Sequence, residues 1–267
     1  MLTRTLTAIL GIPLLIFIIQ KGGSLLFASL LVLSSVGLLE YCNAVNTDEK
    51  INVNPVLEAL LGIFLLCLFY FESQFIVPGL ILCFMLIFIH QIWNNKVYVL
   101  QGIYAFLGLF YVAFLLGHIL LFEKLENGTY ILWLVFIISF ATDTFAYISG
   151  VNFGRHKLCP QISPKKSVEG AVGGVVGSII ATVIYGYFMN RYGYLNFPLF
   201  FYIILSLIVS VFSQFGDLTA SLIKRTFGVK DYGHIFPGHG GVLDRFDSII
   251  FATPVVYYIT YYYILLR

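Results

Sequence analysis

Residues 213–225 read SQFGDLTASLIKR and set Asp217, Ser221 and Lys224 at positions i, i+4 and i+7. At helical spacing these three side chains share one face, with Ser213 and Gln214 a turn earlier. A charge near a bilayer centre costs about 2.5–3.5 kcal/mol even on mild insertion scales, so an aspartate in so apolar a run needs a partner. An Asp–Lys pair that only pins helices would meet that need. Twenty residues on, Asp244 and Asp247 stand three apart at the start of another apolar run, with Arg245 between them and His239-Gly240-Gly241 just before. Acids in a first helical turn favour the helix dipole by about 0.3–1 kcal/mol each, which explains the aspartates but not the glycines, histidine or arginine.

Those additions suit phosphate chemistry. Glycines let a backbone approach a ligand closely, and successive N–H groups at a helix start make an anion nest. Carboxylate oxygens select hard cations such as Mg²⁺, which binds through one or two carboxylates plus substrate phosphates. Lys224, Arg225, Lys230 and Arg245 then cover the phosphate oxygens that the cation leaves bare. A polyphosphate substrate accounts for the whole set. Zinc fits poorly, because His234 and His239 are five apart with neither paired cysteines nor a His-Glu-x-x-His helix, and Cys42, Cys67, Cys83 and Cys159 lack metal spacing.

Two further stretches carry charge. Asp143, between Thr142 and Thr144, is the only acid in its run and is open to three roles: ligand, acceptor behind a ligand, or interhelix hydrogen-bond partner. The loop GRHKLCPQISPKKSVEG, residues 154–170, holds Arg155, His156, Lys157, Lys165 and Lys166. Such a loop can act only as a topology determinant, yet Ser163-Pro164-Lys165-Lys166 reads as a turn leading into a helix N-terminus at Glu169, where anions bind. Glycines 170, 173, 174 and 177 have no adjacent Lys-Ser or Lys-Thr, so they are assigned to close helix packing and not to a phosphate loop.

The elements that position these residues follow from composition. Of 267 residues, 60% are hydrophobic and 10% charged, and the mean hydropathy is +0.94. Soluble domains are about half apolar, so this is a polytopic membrane protein. A net charge of +2 without a basic tail argues against nucleic-acid binding. Nine apolar runs, at 6–20, 25–43, 55–71, 76–90, 101–122, 130–150, 169–189, 197–224 and 247–265, predict an all-α protein of about nine transmembrane helices, since lipid offers backbone groups no other partner. The first run is read as a retained anchor, short enough, with Pro13, to be re-entrant with the second.

Alternating the loops between two sides puts Arg4, Lys50, Lys96, Arg155, Lys157, Lys165, Lys166, Lys224, Arg225, Lys230 and Arg245 together, eleven of the 15 basic residues. The positive-inside rule makes that side cytoplasmic, with the N-terminus inside and the C-terminus outside. We expect one membrane domain, with 1–122 forming N-terminal helices and 130–267 carrying catalytic helices and cytoplasmic loops.

From Ser221-x-Ile223-Lys224-Arg225, through Lys230-Asp231-x-Gly233, to Phe236-Pro237-x-His239-Gly240-Gly241-Val242-x-Asp244-Arg245-Phe246-Asp247, the chain closely resembles the signature of phosphatidate cytidylyltransferases, or CDP-diacylglycerol synthases. Asp143-Thr144 and the stretch from Ser163 to Gly170 resemble the family as well, with Ser167-Val168 standing where Thr-Trp is usual. The resemblance implies transfer of CMP from CTP to phosphatidic acid, Mg²⁺ dependence, a homodimer in the inner cell membrane and an active site facing the cytoplasm. On this reading Asp217 and Asp244 bind Mg²⁺, while Asp247 and Asp143 support them or hold a second ion, with a monovalent cation left open. Lys224, Arg225 and Arg245 hold phosphates, the Gly240-Gly241 backbone receives the triphosphate, and Ser221, Lys230, His239, Lys165 and Lys166 complete the substrate site. Two alternatives stand beside it: a CTP-dependent lipid kinase of the polyprenol type, and a transporter of phosphorylated lipids or anions.

Overall fold

The structure, a computed structural model, describes residues 2–94, 98–233 and 240–267, with side chains from Gly11 onward. Nine helices are present among the described residues: α1 (Leu2–Lys21), α2 (Gly23–Val45), α3 (Pro55–Phe71), α4 (Ile76–Trp93), α5 (Val99–Lys124), α6 (Gly128–Phe153), α7 (Val168–Arg191), α8 (Leu199–Thr226) and α9 (Leu243–Leu265). Seven of them are long and apolar enough to cross a bilayer. The other two are α1, whose described apolar part is Gly11–Lys21, and α3. Hydropathy predicts each helix to within a few residues because, in lipid, a run of about 20 apolar residues has no other way to satisfy its backbone.

Among the described residues, a short β-hairpin interrupts the helices. Lys157–Cys159 (β1) and Ser163–Ser167 (β2) pair antiparallel, with Lys157 opposite Ser167 and Cys159 opposite Ser163. Ser163–Ser167 is therefore a strand, not a turn opening directly into a helix. The helix starts one residue later, at Val168, where the Ser167 side chain caps it by accepting the Gly170 N–H at 3.1 Å. Glu169, in the first turn, accepts the N–H groups of Arg155 at 3.1 Å and His156 at 3.2 Å and meets His156 Nδ1 at 2.6 Å. Together they tie the hairpin to the helix it precedes.

The chain divides into two compact units, Met1–Leu121 with Lys224–Phe246, and Phe122–Ile223 with Asp247–Arg267. In the first unit Tyr41, Leu65, Leu66, Phe69, Val112 and Leu116 form a fully buried core. In the second, Leu134, Val135, Tyr202, Leu205, Ile250 and Val256 do so. The glycines of α7 pack against α6, as their spacing predicts. A Cβ at Gly170 would lie 2.8 Å from the Ala146 carbonyl oxygen, and one at Gly174 would lie 2.8 Å from that of Thr142. This close approach sets the α6 turn that carries Asp143 against the start of α7.

Candidate active site

In the second unit, α6, α7, α8 and the hairpin enclose a cavity of about 470 Å³. Asp143, Lys157, Lys165, Lys166, Gln214 and Asp217 line it. Lys166 Nζ meets Asp217 Oδ2 at 2.7 Å, with the two side chains 25% and 30% exposed. Lys166 also reaches the Gln214 carbonyl at 3.5 Å, and the Gln214 side chain donates to the Ala171 carbonyl at 3.2 Å. A partly exposed ion pair contributes roughly 0–1 kcal/mol, so the lysine can leave the carboxylate for a stronger anion at little cost. Lys157 and Lys165 are exposed and make no ion pair among the described residues.

At the base of α9, in the same unit, Ser248 Oγ donates to Asp143 Oδ1 at 3.3 Å, and Asp247 Oδ1 accepts the Ser248 N–H at 2.8 Å. Gly216, beside Asp217, has no room for a side chain: a Cβ there would sit 2.5 Å from the Asp247 carbonyl oxygen. The helical stripe on α8 is real, but it does not form an internal Asp217–Lys224 pair. Each charge finds its partner on another element.

The partner of Lys224 lies within the first unit. Lys224 Nζ and Asp244 Oδ1 are 2.6 Å apart, with side chains only 11% and 4% exposed. Asp244 Oδ2 accepts the N–H groups of Tyr232 at 2.8 Å and Gly241 at 2.9 Å, and the lysine lies 5.4 Å from the centre of the Tyr232 ring. The Gly241 N–H, expected to face a phosphate, is thus taken by Asp244. Gly240 adopts a left-handed φ of 83°, and a Cβ there would lie 2.9 Å from Asp244 Oδ2. Both features bring the Gly240-Gly241 backbone close against the carboxylate.

Sequence reasoning passed over Glu40. This side chain, on α2, is buried, and its carboxylate accepts the N–H groups of Val242 at 2.9 Å and Leu243 at 3.0 Å. It supplies from another helix the cap that α9 lacks in its own sequence. A Cβ at Gly233 or Gly241 would run into it. The signal was available: an acid inside an apolar span requires a partner.

Of the remaining expected residues, Ser221 is half-buried, whereas Arg225, Lys230 and Arg245 are exposed. His239, like His234, lies outside the described residues. No three His, Cys, Asp or Glu side chains gather into a ligand set among the described residues. Mg²⁺ does not need one, since one or two carboxylates plus phosphate oxygens suffice. Asp143 and Asp217 open on the same cavity and are donors of the right hardness.

The pattern of the Cytidylyltransferase family matches residues 2–263. The chain belongs to that family. This cytidylyltransferase-family chain is 35% identical over 261 residues to the phosphatidate cytidylyltransferase of Staphylococcus saprophyticus, covering 96% of its own length and 97% of the relative's. It is 34% identical to the enzyme of that name from Staphylococcus aureus and 33% identical to that from Staphylococcus epidermidis, again over 96% and 97% of the two lengths. The resemblance read from the C-terminal signature thus extends over nearly the whole chain, including N-terminal helices recognised only by hydropathy.

Proposed function

We propose that the protein is a phosphatidate cytidylyltransferase that joins CMP from CTP to phosphatidic acid, releasing pyrophosphate and forming CDP-diacylglycerol for phospholipid synthesis. The supporting observation is the cavity in which Asp143 and Asp217 stand beside Lys157, Lys165 and Lys166, in a chain similar end to end to enzymes of that name. A phosphate oxygen of phosphatidic acid attacks the α-phosphorus of CTP. The bond from that phosphorus to the bridging oxygen breaks, and pyrophosphate departs with the electron pair. The nucleophile is already an anion, so no serine or cysteine needs activation. What the protein must provide is alignment and charge neutralisation.

Asp143, Asp217, Asp244 and Asp247 are the proposed oxygen ligands of Mg²⁺. When bound, the ion withdraws charge from the attacked phosphate and from the leaving pyrophosphate. Lys165 and Lys166 take phosphate oxygens in the cavity, Lys166 turning from Asp217 as substrate arrives. Lys224, Arg225, Lys230 and Arg245, with Ser221, His239 and the Gly240 backbone, serve the phosphates near the start of α9, while the Gly241 N–H holds Asp244. The basic loops face the cytoplasm, with the N-terminus inside, the C-terminus outside and the active form a homodimer in the inner membrane. Residues 1–122 support a catalytic part formed by 130–267.

The test is incubation of purified protein with α-labelled CTP, phosphatidic acid and Mg²⁺. Label in the lipid phase with release of pyrophosphate is expected. Label recovered as free CDP would make the protein a lipid kinase, and no turnover in detergent, where no compartment is sealed, would favour transport.

A further inference from the structure

A second cavity, of about 330 Å³, adjoins the lysine-lined one, and Leu158, Ala171 and Gln214 line both. Its walls are otherwise apolar: Val172 and Val175 on α7, Val211, Phe215 and Leu218 on α8, and Leu158 on β1. Val172, Val211 and Phe215 are exposed at 59%, 39% and 56%, so the groove is open along the helices. It runs from Leu218 to Val211, seven residues or about 10 Å of helix axis. The polar junction is built by Gln214, which bridges to the Ala171 carbonyl at 3.2 Å, and by Lys166, which reaches the Gln214 carbonyl at 3.5 Å. A cationic chamber that continues into an apolar channel of this length has the shape and polarity of an anionic amphiphile.

We infer that this groove seats an acyl chain of phosphatidic acid, the lipid phosphate lying at Lys165 and Lys166, so that α7 and α8 select the lipid as well as orient it. The inference rests on the proposed reaction for the identity of the lipid. Charge complementarity argues for phosphatidic acid over bulk membrane phospholipid, because a terminal phosphate monoester carries close to two negative charges for the lysine end where a phosphodiester carries one. Lipid tails are as apolar as the groove wall, so selection between phosphatidates arises from fit and not from transfer out of water. The headgroup holds the chain at the groove mouth. The groove then distinguishes chain shape close to the glycerol and ignores the distal methylenes.

The test uses purified full-length protein in mixed micelles and a phosphatidic acid carrying a diazirine midway along one acyl chain. After irradiation, adducts are expected on peptides covering 171–175 and 211–218, suppressed by excess phosphatidic acid but not by excess diacylglycerol. Val175→Trp should reduce this labelling and raise the KM for long-chain phosphatidic acid by about three- to tenfold, with kcat and the KM for CTP little changed, since loss of packing alone is modest. Val176→Trp, on the neighbouring exposed position outside the groove, should change neither. Adducts elsewhere, equal competition by diacylglycerol, or a Val172→Cys variant that cross-links to a second copy in place of capturing lipid would each overturn the assignment. Turnover with a short-chain phosphatidic acid on the same preparation separates the two readings. Its presence without groove labelling removes only the acyl seat, and its absence removes the reaction.

Discussion

Oε2 of Glu40, on α2, accepts the backbone N–H of Leu243 at 3.0 Å across 203 positions of sequence, and Oε1 accepts that of Val242 at 2.9 Å. The first turn of α9 is therefore capped by a helix from the opposite end of the chain. Hydrogen bonds to a charged group contribute about 1.5–3 kcal/mol, and each buried N–H left without an acceptor costs about 1–3 kcal/mol. Glu40→Ala should lower the thermal midpoint in detergent by several degrees and reduce turnover at least tenfold. Glu40→Gln keeps one of the two acceptors and turns an NH2 group toward the other N–H, so it should recover only part of that loss. Equal stability of the alanine variant and the parent would show that Glu40 does not cap α9.

Gly241 and Gly233 make room for that carboxylate. Gly241→Ala should cost about 1–3 kcal/mol through overpacking. Pairing it with Glu40→Asp, which withdraws the carboxylate by one methylene, should restore part of the loss, because contacting residues do not add independently. A double-mutant cycle by thermal denaturation checks this, and strict additivity would count against the contact.

Lys224 and Asp244 form a nearly buried pair, so removing one partner strands the other. Lys224→Met should destabilise by about 3–5 kcal/mol and abolish turnover. Lys224→Arg should fold better yet remain impaired, because a planar guanidinium does not reproduce a compact ammonium at this site. Measuring the unfolding midpoint beside kcat separates the structural part from the chemical one.

The Lys166–Asp217 pair is half-exposed, and its loss should move stability by less than about 1 kcal/mol. Asp217→Asn should nonetheless cut kcat by about 10²-fold or more, the usual scale for losing an electrostatic contact to the transition state. Near-normal kcat would remove Asp217 from the metal set.

Chelation offers an independent check on the oxygen donors. EDTA should extinguish CMP transfer, and added Mg²⁺ should restore it, because the cavity lysines alone cannot offset the charge of two phosphate-bearing substrates meeting beside two carboxylates. Asp143→Asn should raise the Mg²⁺ concentration giving half-maximal rate, read from a metal titration.

Apolar run length was enough to place the nine helices, since in lipid each backbone group finds its partner a few residues away in the same segment. Local spacing likewise put Asp217 with Ser221 on one face, and glycines 170 and 174 on the side of α7 that packs closely. Which charges meet was decided only by tertiary structure. Asp217 pairs with Lys166 from the hairpin, not with Lys224 on its own helix, and Lys224 turns to Asp244. Glu40 reads in sequence as one acid near the end of an apolar run, and nothing local reveals that the N–H groups of Val242 and Leu243 require it. Periodicity encodes the direction of a side chain around its own helix. The rotation and closeness of neighbouring helices, set here by glycines facing backbone, determine what stands opposite.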